Sequence, residues 1–547
     1  MNGLYYGDNL DILRAHIASE SVDLIYLDPP FNSNASYNVL FKAPDGHDSH
    51  AQMEAFEDTW HWNKAAERAF DEVMQSGNTD AAEMLRAMRS FLHENDMMAY
   101  LAMMAVRLLE LHRVLKPSGS LYLHCDPTAS HYLKLLLDAI FGPREFLNEV
   151  IWKRTFAHGS AKRYGPVHDT LLFFARDREL CQWTNFRIPH SDEYTSHFRQ
   201  LDAGSGRRFQ AITLTGAGVR SGESGRPWRG IDPTAVKRHW ALPGKVLSGL
   251  GVTSGTVQER LDELDRAGLI YWPDKTGGTP RLKQFEDELE GVSLGDVWTD
   301  IPPISAQARE RLGYPTQKPL ALMERVLQAS SKEGDIVLDP FCGCGTTVHA
   351  AQKLNRQWIG VDITHLAISL IQKRLRDAFG PIPIVIHGVP RDLGGARALA
   401  AQDKYQFQWW AVSLVDAVPY GGRKKGADSG IDGFIYFKPD GKTTEKAIVS
   451  VKGGDSVDVK MVRELAQVVN RENAKMGVLI SLAEPTGPMR KEAIAEGFYK
   501  TEYGEYPKLQ ILTIAHLFAG QRPDMPWIDP TVFRKAKAEK GRQEKLL

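Results

Sequence analysis

The chain has 547 residues, of which 43% are hydrophobic and 25% are charged, a composition typical of a globular protein with several cores. Its net charge of −1 gives no overall attraction for nucleic acid, so contacts with DNA would have to come from local basic patches. The four cysteines are too few for a disulfide framework, and neither a signal peptide nor a membrane-spanning run is expected. A cytoplasmic protein without a membrane partner is therefore expected.

The first 40 residues predict a turn, a helix, a buried strand and a loop. The apolar strand over 22–27 ends before Pro29 and Pro30, because proline cannot donate a hydrogen bond to a sheet ladder. Asp28 is expected at the tip of this strand, and Phe31 follows the two prolines.

Helices and strands continue to alternate further along the chain. The segment 45–90 has a helical second half and is interpreted as an insertion over the strand tip. An amphipathic helix is predicted over 97–115, and a strand over 120–124 follows a Lys-Pro-Ser-Gly turn. The segments 150–152 and 170–174 predict a pair of strands. This alternation favours an α/β sandwich.

The segment between about 190 and 300 has a different composition, rich in glycine, arginine and tryptophan. A helix over 254–269, a strand from Ile270 and a basic turn over 275–281 are together typical of a winged-helix module. A helical insertion with a β-ribbon explains the same pattern equally well.

A second strand-to-helix junction carries a glycine loop. A strand is predicted over 336–339 and a helix over 346–354, with Gly343 and Gly345 in the turn between them. Glycines there let the backbone approach a ligand, and the helix N-terminus favours an anionic group, such as the carboxylate of S-adenosylmethionine or a phosphate. Asp362 ends the next strand, where an acid can accept hydrogen bonds from ribose hydroxyls.

The order of these motifs, with the Asp28 tip before the glycine loop, resembles the β-class DNA amino-methyltransferases. The resemblance implies an α/β, Rossmann-like fold that depends on S-adenosylmethionine, with a catalytic half over 1–190 and a cofactor-binding half over 312–395. The target-recognition region is then expected over 191–311. The residues that match the family's cofactor motifs are Asp8, Asp28, Lys318, Asp339, Phe341, Gly343, Gly345, Thr346 and Asp362.

The tip carries chemistry that suits an exocyclic amine. The amines of adenine and cytosine are poor nucleophiles, because their lone pairs are delocalised into the ring. Asp28 and the carbonyl of Pro29, whose direction Pro30 helps to fix, can accept hydrogen bonds from such an amine and draw its nitrogen toward tetrahedral geometry. Phe31 can stack on a base that has turned out of the duplex. In the resembling family, an Asp at this position implies the 6-amino group of adenine.

The predicted function is site-specific methylation of adenine in double-stranded DNA, within a restriction–modification, host-defence or regulatory system of a bacterium, archaeon or phage, acting at the nucleoid. The alternatives are methylation of the 4-amino group of cytosine, a bifunctional enzyme with an active nuclease domain, methylation of RNA or protein glutamine, and DNA binding without catalysis. The family also favours a homodimer. The basic residues considered for DNA contacts are Arg226, Arg229, Lys237, Arg238, Lys275 and Arg281.

The segment 396–530 resembles Mrr-like restriction endonuclease domains of the PD-(D/E)xK fold, and a short basic tail follows over 531–547. By this resemblance, Asp432 would hold a divalent ion such as Mg²⁺, and Lys452 would assist attack on the phosphodiester. Ser450 stands where the family has an acid or a glutamine. An active Mg²⁺-dependent nuclease and a DNA-binding remnant of the fold therefore both stay open.

Overall fold

The computed structural model describes most of the chain. The described residues are 2–30, 36–42, 48–57, 61–156, 162, 164–185, 187–188, 190, 192–274, 278–305, 308, 310–312, 314, 316–420, 430–440, 442–526 and 539, with the backbone alone at 36–42, 48–57 and 192–193. They form two compact units, one of Met1–Thr184 with Gly295–Leu547 and one of Asn185–Leu294. None of the helices in this described part is long and apolar enough to cross a bilayer.

The first part of the chain alternates strands with helices. In chain order it forms β1 (Gly3–Tyr6), α1 (Asn9–His16), β2 (Val22–Leu27), β3 (Ser36–Lys42), β4 (Asp48–Glu57), α2 (Lys64–Gln75), α3 (Thr79–Leu92), α4 (Asp96–Val114), β5 (Leu115–Cys125), α5 (Ser130–Phe141), β6 (Phe146–Lys153) and β7 (His168–Ala175). Polar caps begin four of these helices, because the side chains of Asp8, Asn63, Asn78 and Asn95 accept hydrogen bonds from backbone N–H groups of the first turn.

The strand after α4 begins earlier than predicted. The expected turn over 116–119 lies inside β5, which starts at Leu115 directly after the helix. Val22 pairs with Leu115 and Leu24 pairs with Ser120, so a register shift in the ladder accommodates the extra residues as a bulge.

The second unit has a small sheet and short helices. Its elements are β8 (Arg187–Ile188), α6 (Asp192–Thr195), β9 (Gln200–Leu201), β10 (Arg208–Thr213), β11 (Thr215–Ala217), β12 (Arg238–Trp240), α7 (Gly244–Gly249), α8 (Val257–Arg266), β13 (Ile270–Tyr271), β14 (Arg281–Phe285) and β15 (Val292–Ser293). The helix predicted over 254–269 is α8, which a Thr256–Glu259 capping box begins. Sheet β13-β14-β10-β9 packs with α7 and α8 around Trp228, Trp240 and Leu261. The winged-helix assignment of this unit stays a prediction.

The remainder of the chain returns to the first unit. Its elements are β16 (Val297–Trp298), α9 (Leu320–Ser330), β17 (Ile336–Asp339), α10 (Thr346–Lys353), β18 (Gln357–Asp362), α11 (His365–Phe379), β19 (Val385–His387), α12 (Leu393–Gln402), α13 (Lys404–Ser413), β20 (Val418–Pro419), β21 (Gly433–Phe437), β22 (Glu445–Lys452), α14 (Val459–Arg471), β23 (Met476–Ser481), α15 (Gly487–Ala495), β24 (Phe498–Thr501), β25 (Gly504–Pro507), β26 (Leu509–Thr513) and α16 (Ile514–Phe518). β16 pairs with β6, although 295–311 was expected in the recognition region.

The main sheet brings together motifs that are distant in the chain. Its strand order is β16-β6-β7-β5-β2-β17-β18-β1-β19, and β5, β2, β17, β18 and β1 run parallel. Because the carboxyl ends of parallel strands meet at one edge, Asp28 after β2, Asp339 on β17 and Asp362 on β18 all lie there. The predicted α/β fold is confirmed.

The C-terminal segment has its own sheet, with the order β20-β21-β22-β23-β26. One face packs on α12, α13 and α16, and the other packs on α14. That second face also shares an apolar core with Leu366 and Leu370 of α11, so the C-terminal domain is packed directly against the helix that follows Asp362.

Candidate active site

A cavity of about 240 Å³ opens at the sheet edge where β2, β17 and β18 end. The predicted site residues that line it are Asp8, Asp28, Pro30, Lys318, Asp339, Phe341, Gly343, Thr346 and Asp362. Pro29 is buried beside the tip, and Phe31 lies outside the described residues. The fold thus brings together most of the residues that the two motifs predicted for the site.

The two loop glycines have different roles. Gly343 has φ of 48°, and a Cβ there would approach the Tyr314 ring to 3.2 Å, so its backbone stays open toward the cavity. Gly345 is absent from the cavity lining, and a Cβ there would lie 2.7 Å from Ile371 of α11. The structure explains Gly345 by close packing of α10 on α11, and its cofactor role stays a prediction.

The cavity concentrates buried carboxyl groups. Burial raises the pKa of Asp339 to about 7 and that of Asp362 to about 6. Each is partly satisfied by the backbone, since the Phe341 N–H donates to Asp339 and the Gly343 N–H donates to Asp362, both at 3.0 Å. A ligand with donor groups or positive charge would suit these acceptors, because it would favour their ionised forms.

Lys318 contacts the Asp28 tip itself. Its Nζ atom lies 2.5 Å from Oδ2 of Asp28, and both side chains are mostly buried. In the structure its ammonium group orients the Asp28 carboxylate, and the cofactor contact that the family resemblance implied for Lys318 stays a prediction.

Sequence reasoning missed Arg107. This arginine lies on α4, where its Nη2 donates to both carboxylate oxygens of Asp8, at 2.9 and 3.1 Å, and its Nε donates to Asn9 at 2.7 Å. Asn9 in turn donates to the carbonyl of Pro340, at 2.9 Å. Arg107 therefore ties the N-terminal motif to the glycine loop. The available signal was a single charged residue inside the apolar stretch Ala105–Leu109 of the helix.

A second cavity, of about 270 Å³, adjoins the first. The two cavities share Tyr314, Thr316, Gln317 and Lys318, and the second is also lined by Trp152, Arg154, Asp169, Pro303, Ile304, Arg311 and Pro319. The indole N–H of Trp152 donates to the carbonyl of Ile301 at 2.9 Å, which fixes its ring as a wall. Lys318, the ion-pair partner of Asp28, thus lines both cavities.

The basic residues proposed for DNA contacts fall into two groups. Arg226, Lys237 and Arg281 are exposed on the second unit. Arg229 pairs with Asp262 and Asp265, and Arg238 donates to Thr215, so internal contacts account for these two guanidinium groups. Lys275 lies outside the described residues.

The candidate nuclease residues lie together on the C-terminal sheet. Asp432 precedes β21 and accepts a hydrogen bond from the Val451 N–H at 2.6 Å, between Ser450 and Lys452 of β22. Ser450 is buried. Within the described ranges, no group of three His, Cys, Asp or Glu side chains is close enough to hold a metal ion. The Mg²⁺ site at Asp432 stays a prediction.

Comparisons with known proteins agree with this division of the chain. A family model described as DNA methylase matches residues 22–373, and one described as restriction endonuclease matches residues 399–499. The Type II methyltransferase M.EcaI of Enterobacter cloacae is 28% identical over 385 residues, which are 70% of this chain and 71% of that protein. The Mod subunit of the Type III restriction-modification enzyme StyLTI of Salmonella typhimurium is 25% identical over 366 residues, 64% of this chain and 50% of its own. The DNA adenine methyltransferase YhdJ of Escherichia coli is 44% identical over 81 residues, 15% of this chain and 27% of its own.

Proposed function

Because this chain belongs to the DNA methylase family, we propose that it transfers a methyl group from S-adenosylmethionine to the 6-amino group of adenine in duplex DNA, as the modifying activity of a restriction–modification system. The observation that carries this proposal is that the Asp28 carboxylate and the glycine loop line the same cavity. The names of relatives, among them a DNA adenine methyltransferase, support adenine over cytosine. Identification of the modified base in DNA from cells that express this chain tests the proposal.

The first cavity suits this cofactor by the chemistry of its lining. Gly343 has no side chain, so a ligand can lie close to the backbone of the loop. A Cβ at this position would crowd the Tyr314 ring. Asp8 and Asp362 offer acceptors for nucleoside amino and hydroxyl groups, and no side chain in the described structure caps the N-terminus of α10, which leaves donors for a carboxylate. When bound, S-adenosylmethionine supplies an electrophilic methyl group on its sulfonium.

Asp28 accounts for activation of the target amine. Its carboxylate, oriented by Lys318, accepts a hydrogen bond from the amine and draws the nitrogen lone pair out of conjugation with the ring. The neighbouring carbonyl of Pro29 is the second acceptor. Because no covalent intermediate with the protein is required, the remaining contribution is positioning of the two reactants.

The second cavity is the proposed site for the base that leaves the duplex. It adjoins Asp28 through Lys318, and Trp152 offers an aromatic surface to a planar base. Arg154 and Arg311 add positive charge that suits the phosphates on either side of a flipped nucleotide. Recognition of the DNA sequence is assigned to the region predicted over 191–311, where Arg226, Lys237 and Arg281 are the exposed candidates. A homodimer stays a prediction.

Cofactor binding is expected to weaken in mildly acidic solution. Burial raises the pKa of Asp339 to about 7 and that of Asp362 to about 6 in the free protein, and each must be ionised to act as a full acceptor. The Kd for S-adenosylmethionine should therefore rise as the pH falls through these values, by about tenfold per pH unit for each proton that binding has to release. Calorimetric titration between about pH 8 and about pH 5.5 measures this profile. Asp362→Asn should bind weakly throughout and show a flatter profile, whereas a pH-independent Kd in the unaltered protein would contradict the expectation.

The C-terminal domain is proposed to bind DNA without cleaving it. The support is the buried Ser450 in place of an acid, together with the lack of a three-ligand metal cluster among the described residues. We expect unmethylated plasmid to stay intact with this protein and Mg²⁺, while an added restriction enzyme linearises the same plasmid as a positive control. Mg²⁺-dependent cleavage that Lys452→Ala abolishes would overturn this view and favour the bifunctional alternative.

A further inference from the structure

A row of polar side chains crosses the main sheet next to the Asp28 tip. The hydroxyl of Tyr26 lies 2.7 Å from Nδ1 of His124, and Nε2 of His124 lies 3.2 Å from Oδ2 of Asp169. Arg154 completes the row through an ion pair, with its Nε atom 3.1 Å from Oδ1 of Asp169 but without the geometry of a hydrogen bond. Tyr26 is on β2, His124 on β5 and Asp169 on β7, and Arg154 directly follows β6, so the row spans four neighbouring strands.

The burial of this row is unusual for groups of its polarity. Tyr26 is 2% exposed, His124 is fully buried and Asp169 is 1% exposed. A buried carboxylate and imidazole cost free energy unless every hydrogen bond is made, and apolar side chains of similar size would fill the same space without that requirement. Burial of this row therefore costs more free energy than burial of apolar side chains would, and the location of the row gives a reason for that cost.

The two ends of the row lie in the two cavities of the site. Tyr26 lines the cavity that is proposed for the cofactor, and it precedes Asp28 by two residues on the same strand. Asp169 and Arg154 line the cavity that is proposed for the target base. A change at one wall can thus reach the other wall through three direct contacts between side chains.

The direction of each hydrogen bond is fixed by the charge on Asp169. Burial alone would raise the pKa of this carboxyl group, but the hydrogen bond from His124 and the charges of Lys318 and Arg154 hold it below its ordinary value. An ionised carboxylate only accepts, so Nε2 of His124 donates to Asp169. In a neutral imidazole, Nδ1 is then the acceptor, and the Tyr26 hydroxyl donates to it.

We propose that His124 and Asp169 are positioning residues for methyl transfer, which hold Tyr26, and with it the strand end that carries Asp28, in register with the wall formed by Trp152 and Arg154. This inference rests on the proposed function, because it assumes that cofactor and base meet at Asp28. A misplacement of about 1 Å between reacting groups lowers a rate by as much as about a hundredfold, so such a row can affect catalysis without touching either reactant.

The test compares two tyrosines whose hydroxyl groups are equally buried. Tyr26→Phe removes the hydroxyl at the end of the row. Tyr122→Phe is the matched control, since Tyr122 on β5 is also 2% exposed and its hydroxyl lies 2.7 Å from the Ser330 hydroxyl, outside the row. We expect both variants to lose similar stability. Only Tyr26→Phe should lower the single-turnover rate of methyl transfer, by roughly tenfold to a hundredfold, with the Kd values for S-adenosylmethionine and DNA nearly unchanged.

A double variant separates a connected row from independent effects. Asp169→Asn should lower the same rate, and Tyr26→Phe combined with Asp169→Asn should be no slower than the slower single variant, because the row is already broken. Additive losses, equal losses in Tyr26→Phe and Tyr122→Phe, or a loss that is confined to cofactor affinity would each overturn the inference. If the unaltered protein transfers methyl groups and Tyr26→Phe is as fast, the inference alone fails. If the unaltered protein transfers none, the proposed function fails, and the inference fails with it.

Discussion

Asp28→Asn should lower methyl transfer to duplex DNA by about a thousandfold, since an oriented acceptor at the reacting nitrogen is of the kind whose removal costs this much. The amide keeps the shape of the side chain, but it loses the negative charge that Lys318 orients and presents a donor where the target amine needs an acceptor. Single-turnover transfer from labelled S-adenosylmethionine measures the change.

A second Asp–Lys pair on the same strand provides the control for this variant. Asp23 of β2 accepts from Lys116 at 2.8 Å and from the Ile336 N–H at 2.9 Å, at the end of the strand opposite to Asp28. Asp23→Asn should lower stability while leaving the transfer rate within about threefold, because the group lies far from the reacting atoms. If both variants slow the reaction equally, Asp28 has no special role in catalysis.

The second large effect is expected in stability. Asp8→Asn keeps an N-cap for α1 but removes the charge that faces Arg107, whose side chain is only 6% exposed. The buried guanidinium then keeps Asn9 and the Met103 carbonyl but loses its nearest carboxylate, which should lower the free energy of unfolding by about 2 kcal/mol, and chemical denaturation of the variant measures it. The double variant D8N/R107M should recover much of this loss, because the charge is then gone.

The matched comparison is an ion pair between α2 and α3, where Glu67 contacts Arg89 at the surface. Glu67→Gln removes one partner of Arg89, which is more exposed and retains Glu94 as a second partner. A loss of less than about 1 kcal/mol is expected there. Equal losses in Asp8→Asn and Glu67→Gln would show that the burial of Arg107 has no energetic consequence.

Much of the fold followed from patterns in the sequence. The strand over 336–339 lies where it was predicted, and the apolar run ending at Leu27 forms β2. Both family resemblances are confirmed by the matches over 22–373 and 399–499. Short motifs at strand ends were sufficient to predict which residues meet in the fold. Parallel strands place their carboxyl ends at one edge of the sheet, whatever their separation in the chain.

The contacts between charged groups could not be predicted in the same way. Arg107 and Asp8 are 99 residues apart, and nothing local in either segment indicates their pairing. Arg229 and Arg238 were considered for DNA contacts, yet their guanidinium groups are held by neighbouring residues. A basic residue in a sequence is equally compatible with an internal partner and with a phosphate, so only the folded arrangement separates the two cases.

The second compact unit has different bounds from the predicted recognition region. The region predicted over 191–311 and the compact unit Asn185–Leu294 differ because β16 (Val297–Trp298) returns to the main sheet as its edge strand. A two-residue strand carries too little periodicity to be recognised from sequence.

The most direct measurement is long-read sequencing of DNA from cells that lack other methyltransferases and express either the full-length protein or Asp28→Asn. The expected result is 6-methyladenine in one short sequence motif with the unaltered protein and none with the variant. Methyl groups on the 4-amino position of cytosine, or no methylated base in either sample, would contradict adenine methylation as the function of this chain.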